Sequence, residues 1–126
     1  MIRPHRSPLG FGKFRDASLG CIRAFARDKS FRIHLPVASA VLSLATLLRV
    51  SAMEFCVLVL TIAIVISAEL FNTAIETLVK KLHPNRDPEI GFVLDVAAGA
   101  VWVCALAAIV VGLTVFVPPL RAVLGI

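Results

Sequence analysis

Three polar side chains, Glu69, Asn72 and Glu76, interrupt an apolar stretch that runs from residue 55 to about residue 79. Their separations of three, four and seven residues place them on one face of an α-helix. Because a helix rises about 1.5 Å per residue, the two carboxylates lie roughly 10 Å apart along the axis, too far apart to bind one small cation directly. The spacing therefore favours two tasks: one carboxylate holds a hard divalent ion, and the deeper one, Glu69, accepts a proton.

Ionisable side chains within apolar spans are candidates for function, because a charge near the centre of a bilayer costs roughly 2.5 to 3.5 kcal/mol. Asp95 lies about two turns into the next apolar stretch, and we expect it to converge with Glu69 and Glu76. The alternative is structural, with Glu69 and Asn72 forming hydrogen bonds between packed helices. Spacing alone leaves both interpretations open.

The composition indicates a membrane protein whose spanning helices carry the polar side chains named above. The chain has 126 residues, of which 59% are hydrophobic, and its mean hydropathy is +0.92. A spanning helix needs about 20 mostly apolar residues, and we predict three spans, at 33–50, 54–81 and 88–117. The first is the shortest, and its flanking residues Arg32 and Arg49 can extend their charged groups to the interfaces.

The distribution of positive charge predicts the orientation of the spans. Eight of the 13 Lys and Arg residues fall within positions 1–32, and three more lie at positions 80–86. The positive-inside bias places both regions in the cytoplasm, so the N-terminus is expected there. Membrane orientation and contact with anionic lipids then account for the formal net charge of +5. Nucleic-acid binding is excluded as a function.

The N-terminal region is predicted to contain a basic tail, 1–10, followed by an amphipathic interfacial helix, 11–31, with aromatic and basic faces. The alternative is a helix that packs only on protein. The first 30 residues lack the unbroken apolar region of a cleavable signal peptide, so we expect the first span to anchor the chain. Cys21, Cys56 and Cys104 have no metal-ligand spacing and are interpreted as small apolar residues.

Two strings carry a family resemblance: E-x-x-N-T-A-I-E at 69–76 and D-x-A-A-G-A-V at 95–101. They resemble the bacterial integral-membrane diacylglycerol kinase family, which includes undecaprenol kinases. Gly20 and the string F-R-I-H at 31–34 are further matches, so that the resemblance covers residues 14 to about 113.

The resemblance implies an all-α membrane protein that forms a homotrimer of three-span subunits, each with an interfacial N-terminal helix. It implies that the protein lies in the bacterial inner membrane and that its active sites are built between neighbouring subunits. It also implies an enzyme that transfers the γ-phosphate of ATP to a membrane lipid alcohol and requires Mg²⁺ as its cofactor.

Residue roles follow from the resemblance position by position. Glu69 corresponds to the catalytic base, which contacts the lipid hydroxyl, and Glu76 to a ligand of the metal that bridges the ATP phosphates. Asp28 stands where the family has a second metal-binding Glu and is one methylene shorter. Asn72 and Asp95 correspond to polar groups of the ATP site.

Two departures from the family pattern concern the phosphate-binding cations. Leu94 precedes Asp95 where the family has Lys, and Lys80 stands where the family commonly has Asp. Cations normally stabilise the transferring phosphoryl group, so we expect Lys80 or Arg86 in the ATP site to replace the missing one. The alternative for Lys80 is a snorkelling membrane anchor.

The predicted function is phosphorylation of diacylglycerol to phosphatidic acid, with Phe31 and Arg32 beside the lipid substrate. The alternatives are an undecaprenol kinase of the same family and a catalytically weakened lipid-binding homologue. A small transporter or channel subunit, with the acidic side chains as an ion path, is a rival from another class. No Walker loop or kinase Gly-rich loop is present, so metal and side-chain cations must hold the nucleotide.

Overall fold

The computed structural model describes residues 10–126, which form helices and no strand. The predicted basic tail, 1–10, lies outside this part of the chain apart from Gly10. The four helices are α1 (Gly10–Arg27), α2 (Phe31–Leu47), α3 (Ala52–Leu82) and α4 (Pro88–Leu124). The expectation of an all-helical chain is therefore confirmed.

Two helices, α3 and α4, are each long and apolar enough to cross a membrane. The 17 residues of α2 reach the required length only together with α1, from which α2 is bent by 104°. The fold thus contains two membrane-capable helices, or three if the bent pair counts as one span.

The corner between α1 and α2 is fixed by one carboxylate and two aromatic rings. Asp28 Oδ1 accepts a hydrogen bond of 2.9 Å from the Ser30 N–H, which closes a local turn. Phe31, which starts α2, is completely buried. Its ring meets the Phe25 ring edge to face, with centroids 4.8 Å apart.

The connection between α2 and α3 is a tight turn with strong local signals. Arg49 has a φ of 52°, and Ser51 and Glu54 form a reciprocal capping box at the start of α3. Beside this turn, the side chains of three helices form a buried apolar cluster: Ala45, Leu58 and Val115. We call this region the turn end and the opposite end, at the α3–α4 loop, the loop end.

The last helix, α4, makes its most extensive contacts with α3. Asp87 caps it by accepting hydrogen bonds from the Glu89 and Ile90 N–H groups, and Pro88 occupies its first turn. The sequence predicts that the Pro118-Pro119 pair ends this span at 117, but α4 continues to Leu124. Proline fixes φ near the helical value but removes its own N–H and crowds the carbonyl four residues earlier, so the pair weakens the local helical hydrogen bonds without ending α4.

Candidate active site

Glu69 and Asn72 are the only polar or charged side chains that are buried within residues 10–126. Their exposed fractions are 5% and 8%, although most of the large apolar side chains of α3 and α4 remain exposed. The helical spacing of the two residues turns both inward, toward the rest of the chain. Two costly groups are therefore placed in the interior, as a site would require.

Asn72 is hydrogen-bonded to the next turn of α3. Its Nδ2 donates a hydrogen bond of 3.1 Å to Glu76 Oε1. Its Oδ1 is buried and has no hydrogen-bond partner among the described residues. An unpaired buried acceptor costs about 1 to 3 kcal/mol, so this oxygen is suited to a cation or to a donor group of a ligand.

Asp28 reaches α3 from the α1–α2 corner. The Thr73 hydroxyl donates a hydrogen bond to Asp28 Oδ2. This bond is the main cause that lowers the pKa of Asp28; partial burial opposes it, and hydrogen bonds from Ser30 and the charge of Lys80 assist it. The carboxylate is therefore held in its charged form against α3.

Thr73 is a candidate site residue that was not predicted from the sequence. It lies four residues after Glu69 and three before Glu76, so it shares their face of the helix. The signal was present, because Thr73 follows Asn72 inside the string that carried the resemblance. Through Thr73, Asp28 lies close to the turn that carries Glu76, although the two are 48 residues apart in sequence.

The oxygen atoms of this cluster are suited to Mg²⁺. The carboxylates of Asp28 and Glu76 and the unpaired Oδ1 of Asn72 are hard ligands of the kind that Mg²⁺ prefers. Within residues 10–126 no three His, Cys, Asp or Glu side chains are grouped to hold a metal. Protein ligands would thus be few, as is usual for Mg²⁺ that also binds phosphates and water.

His34 is the second residue that the sequence analysis did not assign to the site. Its Nε2 lies 3.9 Å from Glu69 Oε2, and the exposed fractions of the two side chains are 29% and 6%. The residue belongs to the F-R-I-H string, but its approach to Glu69 depends on how α2 leaves the corner. Sequence periodicity within one helix does not contain that information.

A cavity of about 820 Å³ lies at the loop end between α3, the loop and α4. Lys80, Arg86 and Leu94 all line it, and so does His83, whose Nδ1 lies 3.0 Å from the Asn85 carbonyl oxygen. Lys80 also approaches Glu76, with Nζ 3.8 Å from Oε2. The two cations expected to compensate for Leu94 therefore border the same space as Leu94 itself. We call this space the loop cavity.

Three predicted site residues are not brought into the cluster. Asp95 is exposed on α4, and its side chain makes no hydrogen bond or ion pair with residues 10–126. Arg32 is exposed at the start of α2. Phe31 has no exposed surface within the single chain, where its ring is used in the edge-to-face contact with Phe25. Its place beside the lipid substrate stays a prediction.

The chain matches the sequence model of a known protein family. The family model described as prokaryotic diacylglycerol kinase matches residues 15–116. The chain belongs to this family. The matched range contains every residue of the polar cluster and of the loop cavity.

Two relatives of this family member have names that specify a lipid acceptor. A diacylglycerol kinase of Synechocystis is 39% identical over 112 residues, which are 88% of this chain and 64% of the relative. An undecaprenol kinase of Bacillus subtilis is 34% identical over 120 residues, which are 94% of this chain and 98% of the relative. The chain thus spans about two thirds of the first relative and nearly all of the second.

The resemblance found in the sequence is confirmed, and with it the expectation of a lipid kinase family. The two relatives are named for the two acceptors that the sequence analysis left open. The polar stripe on α3 is thus part of a kinase family sequence, and its chemistry is considered in that context.

Proposed function

We propose that this protein is an ATP-dependent kinase that transfers the γ-phosphate of ATP to the hydroxyl group of a membrane lipid. The preferred acceptor is diacylglycerol, and undecaprenol is the alternative. One observation carries the proposal: Glu69 is 5% exposed on the face of α3 that also carries the hydrogen-bonded oxygen atoms of Thr73 and Glu76. A deep carboxylate for proton transfer thus lies within two turns of oxygen ligands for a metal.

Glu69 is the group we propose as the general base. As the lipid oxygen attacks the γ-phosphorus, the bond from that phosphorus to the bridging oxygen of ADP breaks. The hydroxyl proton passes to the Glu69 carboxylate. Burial keeps water away from this position, so that the lipid hydroxyl, and not water, is the nucleophile.

Asp28 and Glu76 are the groups we propose as ligands of Mg²⁺, with Asn72 Oδ1 as a further oxygen. When bound, the metal neutralises charge on the ATP phosphates. The Thr73 hydrogen bond holds Asp28 against α3, and the Asn72 amide holds Glu76. Both carboxylates are thereby oriented before a nucleotide arrives, which reduces the cost of ordering them.

Lys80 and Arg86 are the groups we propose as phosphate contacts from the loop cavity. They supply positive charge beside Leu94, where the family has a Lys. We further propose that the protein is a homotrimer in the bacterial inner membrane, with a cytoplasmic loop end and α1 as an amphipathic interfacial helix. Asp95, which is exposed in the single chain, would then serve the ATP site of a neighbouring subunit.

The test is transfer of label from [γ-³²P]ATP to lipid by the purified protein in mixed micelles that contain diacylglycerol or undecaprenol. Glu69→Gln removes the base and is expected to reduce the rate at least 100-fold. Glu54→Gln, on the same helix at the turn end, retains the capping box and is the matched control. Label found in one lipid identifies the acceptor, and full activity of Glu69→Gln would overturn the assignment of the base.

Leu94 favours one second candidate, a lipid-binding homologue with little catalytic activity. Loss of a phosphate-binding cation removes transition-state stabilisation of several kcal/mol unless another cation replaces it. Wild-type protein that binds lipid but transfers no label to either acceptor would support this candidate over the kinase.

A further inference from the structure

Glu69 has one polar neighbour that the proposed function does not use. Among residues 10–126, the only Lys, Arg or His nitrogen within 4.0 Å of its carboxylate is His34 Nε2, at 3.9 Å, and Glu69 takes part in no side-chain hydrogen bond there. His34 differs from Glu69 in exposure, with 29% of its side chain accessible. The pair thus joins a buried acid to a group at the surface of the chain.

His34 also lines an apolar cavity of about 330 Å³ between α2, α3 and α4. No other residue that lines this cavity is titratable, and its other polar member is Thr61. The ionic contact of His34 with α3 is with Glu69, and the residues of α4 that line the cavity, such as Ala108 and Phe116, are apolar. Among residues 10–126, His34 is thus the one titratable side chain that lines this cavity.

A buried base must pass its proton on after each turnover, and His34 can accept the proton from Glu69. Each transfer leaves one proton on Glu69, and the carboxylic acid must lose it before the next turnover. Asn72 cannot serve, because an amide does not accept a proton at neutral pH and its Nδ2 already donates to Glu76. A neutral imidazole can accept a proton on one ring nitrogen and release another from the other.

We propose that His34 receives the proton from Glu69 and releases it to solvent, which resets the base for the next turnover. This inference rests on the proposed function, in which Glu69 is the base. The proton moves from the lipid hydroxyl to Glu69 Oε2, from there to His34 Nε2, and from Nδ1 of the resulting imidazolium to water, after which tautomer exchange with solvent frees Nε2 for the next proton. One proton is released for each phosphate transferred.

The distance of 3.9 Å exceeds that of a hydrogen bond, which is about 2.7 to 3.2 Å. A rotation of either side chain must therefore precede transfer. Rotations of partly exposed side chains take picoseconds to nanoseconds, whereas kinases turn over roughly 1 to 100 times per second. The separation is compatible with a relay that acts after the phosphoryl group has moved.

The experiment compares His34→Ala, His34→Gln and the control Thr61→Val, which alters another polar residue of the same cavity. Steady-state and single-turnover label transfer are measured from pH 6 to 9, with and without added imidazole. We expect both His34 variants to turn over about 10- to 100-fold more slowly in the steady state, with the KM for ATP and the first turnover little changed. Added imidazole restores His34→Ala, and Thr61→Val behaves as wild type.

Two results would overturn the inference. One is steady-state activity of both His34 variants equal to wild type at every pH. The other is an equal loss in the first turnover that imidazole does not restore, which indicates a structural role. Two variants are used because a cavity in His34→Ala can destabilise the chain, and His34→Gln fills that space without a titratable group. If Glu69→Gln is inactive while the His34 variants are fully active, the base assignment stands and only the relay fails.

Discussion

The turn end and the loop end of the helices are held together by different kinds of contact. At the turn end, Ala45, Leu58 and Val115 pack without a polar group between them, and hydrogen bonds beyond the regular helix pattern stay within the local turn. At the loop end, polar side chains connect separate elements, as Thr73 does with Asp28 and Glu69 with His34.

The difference teaches where stability and function are located. Apolar contacts such as those of the turn end need only complementary shape, whereas buried polar groups are costly unless each has a partner. Asn72 Oδ1 at the loop end has none among residues 10–126. The loop end is therefore the region in which a ligand can supply missing contacts. Four predictions test whether the turn end stabilises the fold while the loop end binds ligands.

Among these four predictions, the largest effect is expected for Glu76→Gln at the loop end. An amide cannot offer the charge that holds a divalent cation, so the rate at limiting Mg²⁺ should fall about 100-fold and recover partly at high Mg²⁺. A Mg²⁺ titration of label transfer measures it. Glu54→Gln at the turn end should match wild type, and a shift of its Mg²⁺ requirement of similar size would contradict the division.

The double variant Lys80→Ala, Arg86→Ala should raise the KM for ATP about tenfold, because two cations leave the loop cavity. Each single variant should have a smaller effect of the same sign. ATP titrations at saturating lipid and Mg²⁺ provide the measurement. Unchanged kinetics in all three variants would mean that neither cation replaces the family Lys lost at Leu94. That result would favour the catalytically weakened homologue.

Thr73→Val removes the hydroxyl that holds Asp28 against α3 while it preserves side-chain volume. The expected loss is about fivefold in activity at limiting Mg²⁺ and about 1 kcal/mol in the free energy of unfolding. Combination with Asp28→Asn should cost less than the sum of the two single changes, because they share one contact. Strict additivity in this double-mutant cycle would show that the contact has no effect on function.

The smallest effect on activity is expected at the turn end. Leu58→Ala removes a side chain that is 3% exposed and should lower the free energy of unfolding by about 2 to 5 kcal/mol. Below the unfolding temperature, activity should change less than twofold. Detergent-solubilised thermal unfolding and label transfer at low temperature measure the two quantities. A large fall in activity without unfolding would mean that the two ends are coupled.

The polar stripe on α3 could be predicted from the sequence, because Glu69 and Asn72 are costly in an apolar helix and the helical period fixes their common face. The start of α4 could also be predicted from the sequence, because Asp87 and Pro88 form an N-terminal helix cap. Local chemistry decides both features. They needed no information from distant parts of the chain.

The partners of the stripe could not be predicted in the same way. Whether His34 or Phe31 faces inward depends on the 104° corner between α1 and α2, which combines a local turn with aromatic packing. Asp95 was expected to converge with the stripe, but periodicity within α4 does not specify which neighbouring element it meets. The continuation of α4 past Pro118 likewise depends on the rest of the helix.

The corner between α1 and α2 also determines how far the protein extends sideways. With 18 residues, α1 is about 27 Å long, and it is bent by 104° from α2. Adjacent packed helices are about 8 to 10 Å apart, so this arm reaches across the width of two to three helices. Phe11 and Phe14, near its free end, are 91% and 77% exposed, so two uncovered aromatic rings lie on this arm far from the corner.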